Sequence, residues 1–303
     1  MEAIEYHNRH RDRIETEAVY GEGFLRFTYA NPLGALPLHL LVKRAAFSRW
    51  YGRRMDRPAT RKKIAPFIED YGLDADEFAD PADSFPHFNA FFSRKLKPGA
   101  RPIDPDAAAV FPADGRHLGF ARAAAIDSVF VKGQRFDLPK LLGDSELAER
   151  FADGPLVLSR LCPVDYHRFH FPCDGVPGEP RRIDGPLFSV SPLALRRRLA
   201  YLWENKRCVT RLETADLGLV LSLEIGATCV GSIQQTYRPR RPVSRGDEKG
   251  YFAFGGSSTV TLFEPGRVEL AADLLEHTAA GRELYARMGS AAATRVKTAP
   301  TDG

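Results

Sequence analysis

The chain has 303 residues, of which 44% belong to the apolar set and 27% are charged, close to a soluble globular average. That is material for two ordinary domains or one large one, and it excludes a disordered chain, a fibrous repeat and a disulfide-stapled miniprotein. The net charge is only +4, yet residues 43–63 carry Lys43, Arg44, Arg49, Arg53, Arg54, Arg57, Arg61, Lys62 and Lys63 against Asp56 alone, so the remainder is net acidic and a general nucleic-acid binder is excluded.

The N-terminus, MEAIEYHNRHRDRIE, is charged throughout and has no apolar h-region. Four cysteines point to a reducing compartment without a disulfide framework. No apolar run reaches the roughly eighteen residues of a spanning helix. Gly34–Val42 is interrupted by Pro37 and His39, and Leu217–Gly231 by Glu224. The expectation is a protein that is soluble or lies on a membrane without crossing it.

Residues 1–100 read as a helical, basic region. Leu36, Leu40, Phe47, Trp50 and Tyr51 fall near a helical stripe. Thr60 predicts an N-cap for a helix to about Tyr71, and Phe88, Phe91 and Phe92 predict a short helix with a buried aromatic edge. From about Ala109 short β-branched and aromatic runs take over. Strands are predicted at Val129–Lys132, Leu156–Leu161, Leu187–Val190, Leu219–Glu224, Ser257–Phe263 and Val268–Leu270, with helices at Leu193–Leu202 and Ala271–Tyr285. The fold class expected is α+β: the helical region, then a β-rich, mixed or antiparallel core over 101–288. The small polar segment 289–303 predicts a flexible tail.

Three clusters can carry chemistry. In Phe254-Gly255-Gly256-Ser257-Ser258 two glycines precede a serine that opens a strong strand, so a hydroxyl can approach the carbonyl before it; a bulge or turn is the plainer reading. Asp165-Tyr166-His167-Arg168-Phe169-His170 places two histidines beside an aspartate. Cys162 and Cys173 bracket that pair, but ligands so crowded rarely close one zinc tetrahedron, and no metal is expected. Histidines satisfied by backbone groups, or a general base, remain as readings. Asp114, in Pro112-Ala113-Asp114-Gly115, reads alone as a turn residue. Together Asp, His and Ser are the parts of a nucleophile activated by an oriented base.

At these residues the sequence resembles the phosphatidylserine decarboxylases, self-cleaving proenzymes that make their own pyruvoyl group. The likeness runs from about Gly21 to Met288 and includes FNAFFSRKLKPGARPID, FPADGR, RLCPVDYHRFHFP, FSVSPLAL, ENKR, EIGATCVGSI and EKGYFAFGGSSTVTLF. The resemblance implies that Ser257 attacks the carbonyl of Gly256, that His170 removes the serine proton, that Asp114 orients His170, and that His167 serves decarboxylation or reprotonation. Serinolysis would turn the amide into an ester, β-elimination would release chain 1–256, and the dehydroalanine left on chain 257–303 would hydrolyse to pyruvoyl and ammonia. One branch of the family carries Leu-Gly-Ser-Thr at this point; aligning the glycine assigns the attack to Ser257 and matches Ser258 to the threonine.

The implied cofactor is therefore the covalent pyruvoyl group from Ser257, whose Schiff base with the substrate amine acts as an electron sink. The implied partners are phosphatidylserine, an anionic membrane surface touched by the basic 43–63 stretch, and a heterodimer of chains 1–256 and 257–303, with no nucleic acid. The implied location is the cell membrane, peripheral, on the cytoplasmic side. Two other classes stay open on the residues alone. One is a serine hydrolase using Ser257, His170 and Asp114 on lipid esters, which would leave the chain intact. The other is a non-catalytic lipid-surface module.

Overall fold

The computed structural model describes residues 4–17, 23, 45–126, 136–227, 233–253 and 257–296. The chain begins with β1 (Glu5–Asn8), β2 (Arg13–Thr16), α1 (Ala45–Met55), α2 (Ile64–Tyr71) and α3 (Phe88–Phe92). There follow β3 (Ala109–Val110), β4 (Gly115–Phe120), α4 (Leu138–Leu142), α5 (Ser145–Phe151), β5 (Leu156–Leu161), β6 (Arg168–His170), β7 (Val176–Pro177) and β8 (Arg181–Ile183). The last part holds α6 (Pro192–Arg197), α7 (Tyr201–Glu204), β9 (Arg207–Glu213), β10 (Leu219–Ile225), β11 (Ile233–Gln235) and β12 (Glu248–Phe252), then β13 (Ser257–Phe263), β14 (Val268–Leu270), α8 (Ala272–Ala279), β15 (Glu283–Ala286) and β16 (Ala291–Arg295).

Strands β5, β10 and β13 are buried at every position, the pattern of strands covered on both faces. They occupy the middle of a mixed sheet that comprises ten strands among the described residues, in the order β2-β1-β15-β4-β5-β13-β10-β9-β7, with β8 also on β9. Only β1 and β15 run parallel there. Side-chain alternation gives each face its own core. Leu156, Leu158, Leu221, Leu223, Val260 and Leu262 pack against α4–α7 on one side. Val157, Val220 and Phe263 join Leu274 of α8 on the other. Strands β11-β12-β6 and β14-β16-β3 form two further sheets. A third core of Phe67, Phe78, Phe85, Phe88, Phe91 and Phe92 unites the N-terminal helices.

The α+β class holds, with several local differences. Two strands, β1 and β2, lie in the stretch expected to be helical: Tyr6 and Asn8 are buried on one face, and β1 gains β15 as a neighbour, which no local pattern reveals. Thr60 is not an N-cap but sits inside a 3-10 turn, Pro58–Lys63. Its hydroxyl donates to the Met55 and Arg57 carbonyls (3.0 and 2.7 Å) and accepts from Phe88 N (3.0 Å), so it ties α1 to α3.

Residues 187–190 form no strand; Asn205 holds Phe188 instead, accepting from its N–H at 2.9 Å and donating to its carbonyl at 2.8 Å. The helix expected over 193–202 is divided at Arg198, whose backbone is extended. The helix expected over 271–285 ends at Ala279, and Gly281 (φ +69°) turns the chain into β15. Within the expected tail, 291–295 forms β16 between β14 and β3. The strand expected at 129–132, Leu36 and Leu40, and the side chain of Phe47 lie outside the described residues.

Candidate functional site

Ser257 is the first residue of β13, opposite Leu161 of β5, while Ser258 stands opposite Arg160. Alternation puts Ser257 on the face of Thr259, Thr261 and Phe263, and Ser258 on the face of Val260 and Leu262. Both serine hydroxyls are buried, and neither makes a hydrogen bond among the described residues. A buried hydroxyl without a partner costs about 1–3 kcal/mol, and a folded protein keeps such a group where it has another use.

Leu161 packs with Ala113, Phe169 and Phe252 in a small cluster of its own. Ala113 adjoins Asp114, and Phe169 adjoins His170. Phe252 lies shortly before Gly255 and Gly256, which are outside the described residues. The segments that carry Asp114, His170 and Ser257 therefore meet at one end of the main sheet.

His170 is held there by two contacts of its strand. Its N–H donates to the Pro112 carbonyl at 2.7 Å, and β6 pairs with β12, placing His170 opposite Glu248. The ring lies 5.7 Å from that of Tyr166 and is 5% exposed. Burial pulls its pKa down to about 4, against the opposing pull of the Glu248 and Asp114 carboxylates and the Pro112 carbonyl. The ring is thus neutral at pH 7, and its Nδ1 makes no hydrogen bond among the described residues.

His167 is fully buried, and its ring centroid lies 3.9 Å from that of Phe92. Nδ1 sits 2.9 Å from the Asp165 carbonyl. A carbonyl only accepts, so Nδ1 carries the hydrogen and Nε2 is the basic nitrogen of the neutral ring. The His167 carbonyl in turn accepts from Phe252 N at 2.9 Å, which ties this histidine to β12.

Asp114 does not hydrogen-bond to His170. Arg101 grips both its oxygens, with Nε at 2.9 Å from each and Nη2 at 2.7 Å from Oδ2, and Met288 N donates to Oδ1 at 2.9 Å. Its influence on His170 is the electrostatic one noted above.

Several residues of this site carry no role in the sequence reading, although Arg101, Arg160, Asp165, Glu224 and Lys249 lie in segments that carry the resemblance. Arg101 is one. Asp165 is another: its carboxylate meets Arg116 Nη1 at 2.6 and 2.9 Å and accepts from Cys162 N at 2.6 Å, while its carbonyl fixes His167. Burial raises its pKa to about 6 against the pull of Arg116. Arg160 joins Glu17 and Glu283 beside this pair and donates to Cys162 Sγ at 2.9 Å. Cys173 lies elsewhere, in the core beside α8.

Fully buried Lys249 of β12 pairs with Glu224 of β10 at 2.7 Å, and Gln235 bridges both. Glu224 lies opposite Thr259, so this pair braces the strand that leads to the Gly-Gly-Ser segment against the sheet that holds Ser257. The whole arrangement offers a buried serine hydroxyl, a neutral imidazole and a fixed carboxylate at one sheet end. It holds a second histidine whose tautomer is set.

A sequence profile described as "Phosphatidylserine decarboxylase" matches residues 88–293. A protein of Fusobacterium nucleatum is 44% identical over 279 residues, 92% of this chain and 93% of its own length. One of Chlamydia muridarum is 45% identical over 291 residues, covering 96% and 97%. One of Clostridium kluyveri is 41% identical over 287 residues, covering 94% and 97%. All three are named phosphatidylserine decarboxylase proenzyme. By the profile and by these near full-length matches, the chain belongs to the phosphatidylserine decarboxylase family.

Proposed function

We propose that this protein decarboxylates phosphatidylserine to phosphatidylethanolamine, with a pyruvoyl group made from its own Ser257. The observation that carries this reading is the Ser257 hydroxyl, buried and without a hydrogen bond among the described residues, at the sheet end where the Asp114 and His170 segments converge.

Ser257 Oγ adds to the Gly256 carbonyl carbon, and the amide C–N bond gives way to an ester; an intramolecular attack of this kind gains from proximity. His170, neutral at pH 7, takes the hydroxyl proton. Asp114, immobilised by Arg101 and Met288 N, stabilises the imidazolium that forms. The ester oxygen then leaves by β-elimination, and hydrolysis with loss of ammonia completes the ketone. Alternation along β13 favours Ser257 over Ser258, since Ser257 shares the face on which Leu161 meets Ala113 and Phe169.

Once formed, the pyruvoyl ketone supplies an electron sink for the pair left when carbon dioxide departs. His167, with Nδ1 tied to the Asp165 carbonyl, moves the replacing proton through Nε2. The products of cleavage remain a heterodimer of 1–256 and 257–303, because β13 is paired on both sides by strands of the long chain and β15 lies between β1 and β4. No helix among the described residues is long and apolar enough to cross a membrane. Contact with an anionic membrane, on its cytoplasmic side, is assigned to α1, where Trp50 is 53% exposed and Arg53 and Arg54 fill the last turn.

The test is the intact mass of the purified, denatured protein. Two species divided at Gly256–Ser257 are expected, with the short chain about 17 Da lighter than its serine form, the replacement of an amine by a ketone. Release of carbon dioxide from phosphatidylserine vesicles should accompany them. A single full-length species without that release overturns the proposal.

A further inference from the structure

Beside Asp114 lies a pocket of about 380 Å³, within the size range of small-molecule sites. Tyr6, Arg94, Arg101, Asp114, Arg116 and Tyr166 are among its walls. The arginines that line it divide into two kinds. Arg11 pairs with Glu15 (3.0 Å), Arg101 with Asp114 and Glu77 (2.7 and 2.9 Å), Arg116 with Asp165 (2.6 Å) and Arg287 with Glu77 (3.2 Å). Arg94 pairs with no carboxylate among the described residues.

Arg94 is nonetheless only 5% exposed. Its guanidinium lies 4.7 and 4.8 Å from the ring centroids of Phe78 and Phe91. Nη1 makes one long hydrogen bond, 3.4 Å to the Phe91 carbonyl, and Nε makes none among the described residues. Asp114 and Asp165, which also line the pocket, are already engaged by Arg101, Arg116 and backbone N–H groups. A buried cation without a paired anion is costly unless a ligand provides the charge. The planar fork of an arginine suits the oxygens of a phosphate or carboxylate.

We propose that this pocket is an oxyanion site built on Arg94, taking a phosphate-class anion, with Tyr166 as a second donor from the same wall. The Tyr166 ring stands 5.7 Å from that of His170, and Asp114 forms part of the wall, so a bound anion lies against the reaction site. The anion is the phosphodiester of the phosphatidylserine headgroup or free inorganic phosphate. The first source rests on the function proposed above, whereas the site itself does not.

The test uses the full chain carrying Ser257→Ala, so that binding is read without the pyruvoyl chemistry. It is titrated calorimetrically with glycerophosphoserine and, separately, with inorganic phosphate at constant ionic strength. Saturable binding of at least one is expected, weakened about tenfold or more when Arg94→Met is added and less when Arg94→Lys is added, as for a lost charge-assisted hydrogen bond.

Binding of glycerophosphoserine, with inorganic phosphate raising KM for phosphatidylserine vesicles but not lowering kcat in the unmutated protein, assigns the headgroup. Binding of inorganic phosphate alone assigns the free anion. Absence of binding by both probes, or equal affinity with and without Arg94→Met, overturns the site. Should Arg94→Met fail to fold, unchanged affinity in Arg94→Lys overturns it. A chain that neither cleaves nor decarboxylates, yet binds an anion through Arg94, refutes the catalytic reading and leaves the site standing.

Discussion

The low pKa of His170 has a direct kinetic consequence. A histidine at the ordinary 6.5 is about 9% neutral at pH 5.5, whereas one at about 4 is about 97% neutral there. If His170 takes the Ser257 proton, self-cleavage is flat from pH 8 to about 5 and falls about tenfold per unit only below 4. Precursor made by cell-free translation in the cold would be shifted to buffers between pH 4.5 and 8. The appearance of fragment 257–303 is followed by intact mass, with circular dichroism at each pH to verify the fold. Asp114→Asn should slow cleavage yet leave the plateau flat, since loss of the carboxylate lowers the ring's affinity for a proton further. A tenfold slowing between pH 7.5 and 5.5 in the unmutated chain, with the fold intact, would refute the reasoning.

Lys249→Met strands the Glu224 carboxylate at a site with no exposure and should cost about 3–5 kcal/mol in urea denaturation; adding Glu224→Gln should recover most of that. Ser257→Ala should yield one uncleaved chain with a stability within about 1 kcal/mol of the precursor, because its hydroxyl makes no hydrogen bond among the described residues, while Ser258→Ala should still cleave.

Acid stability follows from the buried histidines. His117 is held neutral, at about 3, first by burial; its Nε2 donates to the Ala286 carbonyl at 3.2 Å and its Nδ1 accepts from Ser159 Oγ at 2.8 Å. Folded values below the ordinary 6.5 mean that the unfolded chain binds protons first, so stability is full above pH 6.5 and declines as pH falls toward 4 and 3. At pH 5 His117 and His170 each remove about 2 kcal/mol, and Asp165, raised to about 6, returns about 1. His117→Phe should therefore lose about 2 kcal/mol less than the unmutated chain between pH 7 and 5.

Strands β5, β10 and β13 were legible because each is rich in apolar and β-branched residues, and such a run pays for itself locally in any sheet that buries both faces. Helix α3 was legible for the same reason, its three phenylalanines falling on one edge. Hairpin β1–β2 and strand β16 were not, since four or five residues rich in charge or alanine become strands only when a distant neighbour completes their hydrogen bonds.

At the site, the residue types offered only candidates, a serine after two glycines, two histidines and an aspartate, and the resemblance supplied the roles expected of them. Their partners came from pairing across the chain: Arg101 on Asp114, Met288 N 174 residues away on the same carboxylate, and Lys249 on Glu224. The face of β13 that carries Ser257 depends on strand register, because a slip of one residue would exchange Ser257 for Ser258. The neutrality of His170 depends on burial among groups from β12 and the 112–114 segment, which only the packed chain brings around it.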